Sequence, residues 1–158
     1  MNPRFLVVLG VLFFPAFSEV SAGGEIAVIV SKVNPTDAIS LKELVKIFKQ
    51  EKQYWGEGKK IYLILREAGS AEKQLVLKRV YGMEDEELKK FWLGKLFRQE
   101  IASFPTTLSS NEAVKRFVSQ VPNAVGVIDA SFVDDSVKVL RINGKEPGES
   151  GYALSSRF

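Results

Sequence analysis

The chain has 158 residues, with 22 Lys and Arg against 19 Asp and Glu, a formal net charge of +3, and neither cysteine nor histidine. Those two absences exclude disulfides, thiol chemistry and Ser-His or Cys-His nucleophile pairs, so acid–base work would fall to carboxylates, lysines or tyrosines. The modest positive charge is interleaved with acids along the helices, which reads as a solvated face and not as a nucleic-acid surface.

At the amino end, Arg4 precedes the apolar run Phe5 to Phe14, Pro15 breaks it, and Val20-Ser21-Ala22 offers the small residues a signal peptidase reads. The run falls short of the roughly 20 apolar residues that a membrane span needs. The expectation is a secretory signal peptide over residues 1–22, cleaved after Ala22, and a periplasmic protein without a membrane span. Residues 23–158 are then long enough to form one domain with a real core.

Glu25 to Val30 predicts a strand whose nearly continuous apolar character suits a sheet covered on both faces. Asn34-Pro35-Thr36-Asp37 breaks the pattern. Ser40 and Glu43 then form a capping box for a short helix to about Lys49, carrying Leu41, Leu44, Val45 and Phe48 at helical spacing. A polar loop with Trp55-Gly56-Glu57-Gly58 leads to a second strand, Ile61 to Leu65. Ser70 caps a helix with Leu75, Val76 and Val80, which Gly82 stops.

Glu84 to Phe97 predicts a further helix with acids matched to its dipole in the first turn and Leu88, Phe91, Trp92 and Leu96 on one face. Ser109 and Glu112 make another capping box ahead of Val114, Phe117, Val118 and Val121. Ala124 to Ile128 and Val137 to Ile142 complete the strands, the last closed by the turn pair Asn143-Gly144. The order β-α-β-α-α-α-β-β indicates an α/β layered domain, with no internal repeat and no second-domain linker.

The stretch Arg66-Glu67-Ala68-Gly69-Ser70 carries the chemistry. A strand that ends in arginine, followed by a glycine turn and a helix start, is a place where an oxyanion binds. The first N–H groups of a helix lack intrahelical acceptors, the dipole places positive charge there, and a guanidinium grips an oxyanion bidentately. Two plainer readings stand beside this one: Arg66 as a salt-bridge partner of Glu67, Glu72 or another surface acid, and Ser70 as an ordinary helix cap. Trp92 belongs to an apolar stripe and Trp55 packs its loop onto the domain. Asp129, Asp134 and Asp135 have no metal-ligand spacing and suit turns, so no metal or cofactor is expected.

In order and spacing, Leu41-Lys42-Glu43-Leu44 with Ile47-Phe48, then Trp55, Gly58, Arg66 and Gly69-Ser70, then Val121-Pro122-Asn123-Ala124-Val125-Gly126-Val127, and finally Val137 to Leu140 with Asn143-Gly144 resemble the phosphate-binding proteins of ABC transporters. That resemblance implies a type II periplasmic-binding-protein-like fold, a mixed sheet flanked by helices. It covers nearly all of residues 23–158 but only a single lobe, the second, of a two-lobed family member. The family's anion loop resembles Arg-x-x-Gly-Ser-Gly-Thr. Arg66, Gly69 and Ser70 match it, while Ala71-Glu72 stands where Gly-Thr would follow, so a hydroxyl is replaced by a carboxylate.

The resemblance implies Arg66, Gly69, Ser70 and Ala71 as ligand contacts and phosphate or a related oxyanion as ligand, in connection with ABC-type transport and without enzymatic activity. The alternative is an accessory module that keeps the fold but not the ligand and binds a second copy, a transporter or a sensor protein.

Overall fold

The computed structural model describes residues 24–156. The expected signal peptide and its cleavage site lie outside them. Strand β1 (Ile26–Val30) is buried at every position, as its unbroken apolar sequence requires. A two-residue strand, β2 (Ala38–Ile39), precedes helix α1 (Leu41–Phe48). Strand β3 (Tyr62–Arg66) leads through the Gly69 turn into helix α2 (Ala71–Val76), which runs on as a π turn over Leu77–Tyr81. Helix α3 (Asp85–Phe97), strand β4 (Thr106–Leu108), helix α4 (Asn111–Gln120) and strand β5 (Ala124–Asp129) follow. Strands β6 (Lys138–Val139) and β7 (Arg141–Ile142) come last.

The main sheet has the order β4-β3-β5-β1-β6 and is mixed: β3 pairs parallel with β4 and β5, whereas β1 pairs antiparallel with β5 and β6. Alternation along the strands sorts the core into two clusters. Val28, Val30, Leu63, Leu65, Val125 and Val127 share one with side chains of α1, α2, the π turn and α3. Ala27, Ile29, Ile64 and Ile128 share the other with Val114 and Val118 of α4. Helices therefore cover both faces, which is the physical reason the strands read as continuous apolar runs.

Several local expectations are corrected. The stretch Val137 to Ile142 is not one strand: at Leu140, whose N–H donates to Val28 O at 2.8 Å, the chain leaves the main sheet and β7 pairs parallel with β2. Strands β2 and β4 were not expected, being two and three residues long with partners remote in sequence. Helix α4 is capped by Ser110, whose Oγ accepts from Ala113 N at 3.1 Å, and not by Ser109. At α1 only half of the box forms, because Ser40 Oγ accepts from Glu43 N while the Glu43 carboxylate pairs with Lys52.

The π turn is a further departure from a regular helix. It ends at Gly82, which takes the left-handed conformation with φ +62° and donates to Leu77 O. The turn helps bury Leu77, Val80 and Tyr81, and Tyr81 stands between Phe48 and Trp92 at ring-centroid distances of 6.1 and 6.2 Å. Trp55 does pack its loop, with its indole N–H donating to Asn123 O at 3.0 Å. Asp129 and Asp134 take turn roles, accepting from Ser131 N and Ser136 N at 2.8 and 2.9 Å. Among the described residues no helix is long and apolar enough to cross a membrane.

Candidate anion site

Arg66 is the last residue of β3 and is aligned with Leu108, the last residue of the parallel neighbour β4. From β3 the chain passes to α2 on one face of the sheet, and from β4 it passes to α4 on the other. Two adjacent parallel strands whose following helices leave in opposite directions open a crevice at their carboxyl ends, the usual ligand position of open α/β sheets. The starts of α2 and α4 flank that crevice, so the fold carries positive helix ends to the arginine.

Gly69 allows the entry turn: its φ of +84° is favourable only without a side chain, although a Cβ there would touch nothing within 4 Å. Ser70 caps α2, its Oγ accepting from Lys73 N at 3.2 Å and donating to Glu67 O at 3.0 Å. Its hydroxyl is thus engaged with the loop. Ala71 and Glu72, the first two residues of the helix, have no intrahelical acceptor for their N–H groups. Gly69 and Ala71 are exposed.

Arg66 itself is buried, with only 9% of its surface accessible. Its Nε contacts Glu72 Oε2 at 3.4 Å and its Nη1 donates to Leu108 O at 3.2 Å. The same carbonyl accepts from Glu67 N at 3.2 Å, so the loop is stitched to the end of β4. Of the acids open to it as partners, the structure pairs Arg66 with Glu72 and leaves Glu67 exposed.

The other oxygen of the Glu72 carboxylate, Oε1, accepts from Asn111 Nδ2 at 2.7 Å, and Asn111 Oδ1 accepts from Asp129 N at 3.1 Å. A continuous chain of contacts therefore runs from Leu108 through Arg66, Glu72 and Asn111 to Asp129. It ties the ends of three parallel strands to the starts of two helices. Beside it, burial pulls the Lys73 ammonium below the ordinary lysine value, an effect that Asp85 partly offsets.

The sequence pointed to Arg66, Gly69, Ser70 and Ala71, and all four lie in this one loop and helix start. Asn111 was missed. It is 39 residues from Glu72 and looks like any polar residue after a serine cap, so no local signal marks it. Among the described residues no group of acids is placed to hold a metal ion.

No protein-family model matches the sequence. Among solved structures, the chain is similar to a protein described as a phosphate ABC transporter substrate-binding protein, with bound phosphate, from Clostridium perfringens, at 26% identity and a TM-score of 0.64 over 78% of this chain and 46% of that one. It is also similar to an ABC-type phosphate transport receptor from Vibrio cholerae, at 23% identity and a TM-score of 0.68 over 84% of this chain and 53% of that one. A third, PstS from Borrelia burgdorferi, matches at 20% identity and a TM-score of 0.66 over 84% of this chain and 54% of that one. The chain spans about half the length of these structures. Its fold, a mixed sheet flanked by helices, is the fold of one lobe-sized part of the phosphate substrate-binding proteins.

Proposed function

We propose that this chain is an exported solute-binding lobe that takes phosphate or a related tetrahedral oxyanion, in connection with ABC-type transport. The observation that carries the reading is the position of Arg66. A buried guanidinium stands at the switch-point crevice of a lobe that is similar to a protein solved with phosphate bound. Arg66 supplies the charge, and the backbone N–H groups at Gly69 and Ala71 supply neutral donors where the helix dipole is positive, on either side of Ser70, whose N–H and Oγ both donate to Glu67 O at 3.4 and 3.0 Å. The similar structures are described as binding or transport proteins, and the reading is accordingly one of capture without catalysis. A periplasmic location and delivery to a permease belong to the same proposal.

Titration of inorganic phosphate, sulfate and a phosphonate into the purified protein by calorimetry tests it. Wild type is expected to give saturable heat with at least one oxyanion. Arg66→Ala is expected to abolish that heat, and Arg66→Lys to weaken it, because an ammonium keeps the charge but loses the planar fork. Folding of each variant is checked by circular dichroism. If wild type and Arg66→Ala are equally silent up to millimolar ligand, the proposal fails.

A further inference from the structure

Glu72 is the anion that Arg66 meets in the structure, and it is held with an unequal grip. Its contact to Arg66 Nε is 3.4 Å, at the long end for an ionic hydrogen bond, while its contact to Asn111 Nδ2 is 2.7 Å. The arginine is held by one carboxylate oxygen and one backbone carbonyl, and its Nη2 has no partner among the described residues. This is not the two-point fork in which a guanidinium binds an oxyanion most strongly. Glu72 is as buried as its partner, with side-chain exposures of 10% for Arg66 and 9% for Glu72. A second anion brought beside that carboxylate would meet like-charge repulsion that water screens poorly.

We infer that Glu72 is a built-in counter-anion for Arg66, which an incoming oxyanion must displace, and that Asn111 becomes a ligand donor when it does. The inference rests on the anion-binding reading of the crevice. Asn111 Oδ1 is fixed by Asp129 N, so its Nδ2 is the amide end turned to Glu72. Once the carboxylate leaves, that N–H and the Nε–H of Arg66 stand together as donors without an acceptor, while Nη1 keeps its bond to Leu108 O. Glu72 thereby lowers the affinity of the crevice, while keeping Arg66 neutralised when no ligand is present.

The test uses the full chain with inorganic phosphate as probe, chloride at matched ionic strength as control, and two variants, Glu72→Gln and Glu72→Thr. Both remove the competing charge, so phosphate should bind roughly ten- to hundredfold tighter than in wild type, as expected for a regained charge-assisted hydrogen bond. The unpaired Arg66 should lower their melting temperature without ligand, and phosphate should restore it. Adding Asn111→Ala to Glu72→Thr should then weaken phosphate binding again.

Suppose wild type binds phosphate through Arg66 while both folded Glu72 variants bind no tighter. Glu72 is then not a competitor, and the inference is overturned with the proposed function intact. If wild type and both folded variants are silent, the inference and the oxyanion reading fall together.

Discussion

At the scale of single residues, the structure separates groups that serve the site from groups that hold the fold. Tyr81 is buried among aromatic rings and donates to Phe48 O at 2.9 Å, and Tyr152 donates to Ile26 O at the same distance. Burial raises the pKa of both phenols above the ordinary tyrosine value, with the charge of Glu25 adding to the effect at Tyr152. A folded-state pKa raised above the unfolded one gives stability that is fully present below the unfolded value, about 10, and is lost as pH rises further. Urea unfolding followed across pH should therefore show a flat tyrosine contribution through neutrality and a decline above about pH 10, shallower in Tyr81→Phe and Tyr152→Phe. At neutral pH, Tyr81→Phe should cost about 1–2 kcal/mol by leaving the Phe48 carbonyl without its donor. The candidate loop from Arg66 to Ser70 could be picked out at this scale because arginine, glycine and serine each have a local physical meaning. The engagement of Arg66 with Glu72 was only one of several pairings open to the sequence. Asn111 had no local mark at all.

At the scale of elements, helix existence followed from apolar periodicity, but helix starts were settled by packing. Two adjacent serines, Ser109 and Ser110, compete for the same cap, and Ser110 takes it. In that register Val114 and Val118 face the sheet, and Asn111 reaches both Glu72 and Asp129. Ser110→Ala should thus cost about 1 kcal/mol while Ser109→Ala is close to neutral, as read by chemical denaturation. The seating of α4 on β5 depends on Gly126, where an added Cβ would come within 2.7 Å of Val114 Cγ1 and 3.2 Å of Val118 Cγ2. Both valines are fully buried and stiff at χ1, so the helix itself must shift. Gly126→Ala should lower the urea midpoint by an equivalent of about 1–3 kcal/mol. It should also disturb the Asn111 contact at the head of the same helix, read as a change in phosphate affinity.

At the scale of the molecule, the two ends of the described chain meet on the main sheet. Ile26 N donates to Leu154 O at 3.1 Å, Ser156 N donates to Gly24 O at 3.1 Å, and Glu25 bridges Ser155. Leu154 has no exposed surface and belongs to the larger core cluster. Leu154→Ala should therefore destabilise the whole domain by about 2–5 kcal/mol in a single cooperative transition, in place of a local fraying, when tryptophan fluorescence and circular dichroism are compared. The sequence by itself determined the layered α/β class and the apolar strands β1, β3 and β5. It also determined the helices with their approximate ends and the glycine turn and serine cap after β3, because burial, periodicity and turn chemistry are written locally. The tertiary structure alone decided the mixed strand order, the short strands β2 and β4, and the break at Leu140. It alone decided the cap of α4 and the chain of contacts through Arg66, Glu72 and Asn111. Each of these depends on which remote segment arrives as partner, and a hydrogen bond or a buried charge is satisfied in space and leaves no period in the sequence.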